Sequence, residues 1–266
     1  MSDVYEFEIK DGKLIKYHGN AKNVVIPNEV VEIEEYAFRK NPDMISNMTS
    51  IFIPKSVKKI GTRYTFGGGS LSACPELESI VVDKDNPIYH SQDNCLIETA
   101  TKTLISGCNY SIIPNDGSVT KIGIGAFEYC RKMTSIVIPD CVTSIGAHAF
   151  QYCSSLRSVV LPTALKSLQK ETFFGCQALE NISIPNSVTK IGRACFYDTG
   201  LRSIVIPEGV ISIGKGAFAF CFDLKYVFIP TSVKKIEFSF AKDVVIDTVK
   251  GSFAEAHFRA LRVDKT

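Results

Sequence analysis

The chain has 266 residues, 45% of them hydrophobic and 22% charged, with 30 basic side chains against 28 acidic ones. That apolar content excludes a wholly disordered chain, and the near-zero net charge argues against a protein built mainly to bind nucleic acid. Length alone sets a prior of about two domains. The start, Met1-Ser2-Asp3-Val4-Tyr5-Glu6, lacks the basic residues and apolar run of a secretory signal. No run approaches the roughly 20 apolar residues of a membrane span. The expectation is a soluble chain, either cytoplasmic or trimmed from an exported surface protein. Nine cysteines, at 74, 95, 108, 130, 141, 153, 176, 195 and 221, are an odd number without a C-x-x-C pair. They read as reduced thiols, and no metal or other cofactor is expected.

In chain order, residues 1–26 read as an N-terminal cap. Phe7 and Ile9, then Leu14, Ile15 and Tyr17, flank a turn at Asp11-Gly12, which predicts a hairpin. Prolines then recur at 27, 54, 87, 114, 139, 162, 185, 207 and 230, and the steps from Pro139 onward are 23, 23, 22 and 23 residues. Residues between them match in register. The unit from Pro139 carries Val142, Ile145, Gly146, Ala149, Phe150, Cys153, Leu156, Val159 and Leu161. The unit from Pro207 places Val210, Ile213, Gly214, Ala217, Phe218, Cys221, Leu224, Val227 and Ile229 in the same columns. Ile-x-Ile-Pro has period 2 and predicts a short strand stopped by proline, which has no N–H for the next ladder bond. Val-x-x-Ile-Gly reads as an apolar segment ending in a turn. Ala-Phe-x-x-Cys-x-x-Leu spaces apolar residues by three, which suits a turn of helix.

One such unit cannot bury its own apolar face, but stacked units can. The fold class is therefore a repeat solenoid of stacked short parallel strands and short helical turns, about 23 residues per coil. Full turns begin at Pro27, Pro54, Pro114, Pro139, Pro162, Pro185 and Pro207, with a partial turn at Pro230. Residues 1–266 form one domain: a hairpin cap (1–26), repeats with insertions (27–82), an irregular unit (83–113), regular repeats (114–241) and a C-terminal cap (242–266). The insertions fall near Asn41–Asn47 and at Tyr64–Ser72, which includes Gly67-Gly68-Gly69. The irregular unit reads as paired strands around Ile88-Tyr89, Cys95-Leu96-Ile97 and Thr103-Leu104-Ile105. Ser252 is a candidate N-cap for a short amphipathic helix to Leu261.

The unit Val142-Thr143-Ser144-Ile145-Gly146, Ala149-Phe150, Cys153 and Leu156 through Pro162, with its copies, resembles the BspA-like (Treponema pallidum-type) bacterial leucine-rich repeats. So do Asp85-Asn86-Pro87-Ile88-Tyr89 with Asn94-Cys95-Leu96, and Phe7-Glu8-Ile9-Lys10-Asp11-Gly12. The resemblance covers residues 5 to about 260. It implies a right-handed arc with a parallel sheet on its concave side, and binding activities: adhesion to host matrix proteins, co-aggregation and other protein contacts.

Strand alternation places one set of side chains outward on that sheet. In order they are Ser50 and Phe52, Ser79 and Val81, Ser135 and Val137, Ser158 and Val160, Asn181 and Ser183, Ser203 and Val205, Tyr226 and Phe228. This row is the candidate surface for a protein or peptide partner, anchored by the terminal aromatics, since such residues are enriched in binding hot spots. The bland alternative is that serine and valine are simply good sheet residues. Phe38, Phe127, Phe150, Phe173, Phe196 and Phe218 form a column expected to be a core spine. Cys74, Cys130, Cys153, Cys176 and Cys221 form another, with Asn41 and Thr199 in the equivalent slots. Those two cannot both replace a thiolate ligand, so the column reads as small buried residues. Lys58, Lys59, Lys121, Lys166, Lys190, Lys234 and Lys235 are a set that could attract an acidic partner, but interrupted by Glu32, Ser144 and Ser212 they read as a solvated face. The four histidines (18, 90, 148 and 257) have no nucleophile motif beside them, and no G-x-S-x-G, H-E-x-x-H or P-loop occurs.

The function expected is thus a non-catalytic protein-interaction scaffold using the concave face. The rivals are a cell-surface adhesin fragment binding host matrix proteins, a carbohydrate-binding module or enzyme using residues 83–113, and a structural link between other domains.

Overall fold

The computed structural model describes residues 6–38, 47–61, 71, 74–237, 240 and 244–263. Asn41 and the glycines at 67–69 lie outside these residues. The chain is a solenoid of about nine turns, and each regular coil has three sides.

The first side is the strand anticipated before each proline. Ser50–Ile53 pairs in parallel with Asn23–Val25 and Ser79–Val82, Ser135–Val137 with Ser158–Val160, and Tyr226–Ile229 with Ser203–Val205 and Val245–Thr248. Inward residues such as Ile51, Ile136 and Val159 are buried, and their neighbours face out. This row is broken twice. Residues 111–114 and 181–184 form no strand, so Asn181 and Ser183 are exposed but lie outside any ladder.

The second side corrects the reading of Val-x-x-Ile-Gly. Its last two residues before glycine form a two-residue strand in each coil, as in Lys121–Ile122, Ser144–Ile145, Lys190–Ile191 and Ser212–Ile213. Glycine follows because the coils approach closely there. A Cβ on Gly192 would lie 2.5 Å from the carbonyl carbon of Gln169.

The third side corrects the helical expectation. Ala-Phe-x-x-Cys segments turn without forming a helix, because alternate N–H groups point to the next coil rather than back along the chain. His148, Phe150 and Tyr152 donate to the carbonyls of Lys170, Thr172 and Phe174 at 3.1, 2.9 and 2.7 Å. Left-handed residues at His148 (φ 61°) and Tyr152 (φ 59°) aim them that way.

The core phenylalanines stack as expected over most of their length. Phe127, Phe150, Phe173, Phe196, Phe218 and Phe240 have centroids 5.1–5.5 Å apart and planes within 4–11° of parallel. Phe38 does not join them. It packs on Tyr17 at 5.8 Å in a separate N-terminal core. The irregular unit divides the two. Its antiparallel strands Tyr89–Gln92, Cys95–Glu98 and Thr103–Ser106 place Leu96 in the N-terminal core and Cys95, Ile97 and Leu104 in the C-terminal one. Gly107 ends the phenylalanine stack, since a Cβ there would sit 1.9 Å from the Phe127 ring.

Both ends are closed. Phe7–Lys10 and Lys13–Tyr17 form the predicted hairpin, with left-handed Asp11 and Gly12 at its turn. At the other end, helix Phe253–Val263 is capped by Ser252, whose Oγ accepts from Glu255 N–H at 3.1 Å. Phe258 lies 5.9 Å from Phe240 and covers the last coil.

Candidate functional site

The long-strand face brings the outward residues into two registered rows. Val25, Phe52 and Val81 align, as do Val137 with Val160, and Val205 with Phe228. Beside them run Asn23, Ser50 and Ser79, then Ser135 with Ser158, then Ser203 with Tyr226. Val25, Val81, Val137, Val160 and Val205 are all exposed, whereas Phe52 and Phe228 are half-buried. At the C-terminal end Tyr226 Oη donates to Asp247 Oδ2 at 2.9 Å, which fixes the ring and raises the phenol pKa. Val25, Val245 and Asp247 belong to this face but were missed in the sequence. Asn23-Val24-Val25-Ile26-Pro27 carried the signal, being a further Ile-Pro unit ahead of the first counted turn.

A cleft of about 630 Å³ opens where this face is first interrupted. Gln92, Asp93, Ile112, Asn115, Val137 and Asp140 are among its lining residues. Most other polar groups of the irregular unit are engaged structurally. Asn86 Nδ2 donates to the carbonyls of Pro54 and Val57, and its Oδ1 accepts from Ile88 and Tyr89 N–H. Tyr89 Oη accepts from Ile60 N–H, and His90 Nδ1 lies 2.8 Å from Thr99 Oγ1.

A second aromatic strip runs along the turn side. Tyr129, Tyr152, Phe174, Tyr197 and Phe220 follow one another at 4.5–5.3 Å, ending on exposed Phe222. Sequence columns hide it, because the ring sits two residues after the core phenylalanine in some coils and one after it in others. Gly175 makes the shift fit: a Cβ there would lie 2.7 Å from the Tyr152 ring.

The thiol column is a hydrogen-bond ladder. Cys153, Cys176 and Cys221 donate to the carbonyls of Phe127, Phe150 and Phe196 at 3.1, 3.1 and 2.9 Å. Thr199 Oγ1 fills the slot differently: it donates within its own coil, at 2.9 Å, to the Phe196 carbonyl that also accepts from Cys221. Burial raises the pKa of Cys153 and Cys176, and pushes that of Cys195 up to about 12. Since the thiolate is the nucleophile, Cys153 and Cys176 should resist iodoacetamide in the native protein. Half-buried Cys141 should label first. Peptide mass mapping checks the order, and fast native labelling of Cys153 refutes it.

The lysine set is diluted by its own column. Lys190 pairs with Ser167 and Ser212, and Lys121 with Ser144. Serine between lysines moves the charges roughly two strand spacings apart, near the screening length of about 8 Å. Lys13 and Lys59 both engage Glu32.

The sequence profile described as the BspA type leucine rich repeat region matches residues 12–99 and 120–243, in 6 copies. The chain belongs to the BspA-type leucine-rich repeat family. Among solved structures, a leucine rich cell surface protein of Faecalibacterium prausnitzii is 30% identical with a TM-score of 0.60, over 87% of this chain and 54% of that one. The pneumococcal vaccine antigen PcpA is 18% identical with a TM-score of 0.64, over 90% of this chain and 65% of that one, a likeness of fold alone. This BspA-type chain thus spans between half and two thirds of those proteins' lengths. No protein of curated function matches it. Among the described residues, no helix is long and apolar enough to cross a membrane.

Proposed function

We propose that this BspA-type repeat domain is a non-catalytic interaction scaffold that takes a protein or peptide partner on its long-strand sheet face. The registered exposed valines carry this reading. With Phe52 and Phe228 they form apolar runs two or three coils long, beside matching serine runs, the last of which ends at an ordered tyrosine. Contiguous exposed apolar surface of that kind marks interaction sites more often than scattered residues do. Stacked coils hold it rigid, so a partner contacts several units with little ordering cost on this side.

The test compares proteins captured from host-matrix and self extracts by wild type and by a Tyr226→Ala, Phe228→Ala variant. Wild-type captures should fall at least tenfold with the variant, while the melting temperature stays within a few degrees. Unchanged capture makes this the wrong face. A second reading, adhesion to host matrix, draws on the cell surface protein of Faecalibacterium prausnitzii. Retention of purified matrix protein at physiological salt supports it, and capture of self proteins alone opposes it.

A further inference from the structure

We propose that the cleft beside Ser135–Val137 binds an extended peptide strand with basic side chains, added to the open edge of that strand. The proposal rests on the reading of this sheet face as the contact surface and names its occupant.

Ser135–Val137 pairs with Ser158–Val160 on one side only. Among the described residues, no backbone hydrogen bond joins 134–138 to 111–115. The cause is the hairpin tip of the irregular unit, which holds the chain that would otherwise pair. Ile112 N–H donates to Asp93 O at 3.1 Å, and Ser111 Oγ to Asn94 O at 2.7 Å. The preceding strand is covered by the same unit, since Val82 N–H donates to Ser91 Oγ and Asn109 N–H to Leu77 O. An unpaired edge therefore faces the cleft at Ser135–Val137. Such an edge offers N–H and C=O groups to any extended chain, irrespective of sequence. Pro139 bounds it, having no N–H to offer.

The walls select among extended chains. Ile112 and Val137 are 70% and 61% exposed and supply apolar contact on one face. Asp93 and Asp140 lie on the rim, and no lysine, arginine or histidine lines the cleft. Asp140 Oδ1 accepts from Thr163 N–H and Oγ1, which fixes the carboxylate. Asp116 adds a third acid beside the rim, bonded to Gln92. A strand alternates its side chains between two faces. One alternating valine and lysine satisfies both the apolar wall and the acidic rim.

The probe is an acetylated, amidated octapeptide alternating lysine and valine, titrated into ¹⁵N-labelled protein. Amide shifts should appear at 112–115 and 134–140. An Asp93→Asn, Asp140→Asn variant should bind about tenfold more weakly with its melting temperature kept, since asparagine tolerates the left-handed backbone at 93 (φ 48°). A peptide N-methylated at alternate residues, which removes the pairing N–H groups, should not bind. Equal binding of a glutamate–valine peptide, unchanged affinity of the double variant, binding of the N-methylated peptide, or no shifts at millimolar peptide each overturns the proposal. Loss of captured partners with Tyr226→Ala, Phe228→Ala but normal capture by the aspartate variant discards the cleft and leaves the wider face standing.

Discussion

Replacing Phe150 with alanine is expected to cost about 3–5 kcal/mol of stability. The ring is fully buried, 5.1 Å from Phe127 and 5.4 Å from Phe173, with planes 4° and 9° from parallel. The cost depends on whether the void collapses. Here collapse is resisted on both sides. Phe127 N–H donates to Ala149 O at 2.8 Å, and Phe150 N–H to Thr172 O at 2.9 Å, so the coils are held at their spacing by backbone bonds. In a solenoid each coil touches only its neighbours, so one deletion weakens two interfaces together. Urea titration followed by circular dichroism measures the loss. A cost below about 1 kcal/mol means that the stack relaxes around the gap. Phe228→Ala is the internal control. It removes a half-buried ring from the sheet face and should cost far less.

The features legible in the sequence were those with a period. Proline spacing set the coil length, and Ile-x-Ile alternation placed Ser135, Val137, Ser158, Val160, Ser203, Val205 and Tyr226 outward on their strands. Two-residue strands such as Ser144–Ile145 have no period to detect. The turn side misled because a spacing of three fits a helix, whereas the left-handed backbone at Tyr152 leaves no mark in side-chain type. Its aromatic strip changes slot at Phe174, which no fixed column follows. Phe38 matched the core column by spacing, yet it lies across a partition that only three-dimensional pairing reveals. The cleft has the same origin. It exists because the tip at Asp93-Asn94 displaces residues 111–114, and those residues look nearly regular in the sequence. The stacked chain holds two apolar cores, which no column spacing foreshadows.

That partition gives buried Asn109 a bridging position. Its side chain is only 6% exposed. Nδ2 donates to Pro75 O at 2.7 Å and Leu77 O at 2.9 Å, and Oδ1 accepts from Lys132 N–H at 2.9 Å. One amide thus ties the coil before the irregular unit to the coil after it. Asn109→Ala strands the Pro75 carbonyl and the Lys132 N–H, each costing about 1–3 kcal/mol where water cannot replace the partner, while Leu77 O keeps the backbone N–H of residue 109. The groups share one network, so the effects do not add, and about 3 kcal/mol is the expected loss. Asn109→Asp keeps the acceptor and removes both donors, so it should destabilise at least as much near neutral pH, where it also buries charge. The location matters as much as the size. Stability of a stacked array is a sum of unit and interface contributions, and a weakened interface splits its cooperative unfolding. Native-state hydrogen exchange on Asn109→Ala should show amides around Ile51 and Ile80 losing protection separately from those around Phe150 and Phe196. Wild type should lose them together. Uniform loss in the variant would mean that the continuous strand Cys95–Glu98, with Leu96 in one core and Cys95 and Ile97 in the other, couples the two cores rather than the asparagine. A cost no larger than that of exposed Asn181→Ala would remove the bridging role altogether.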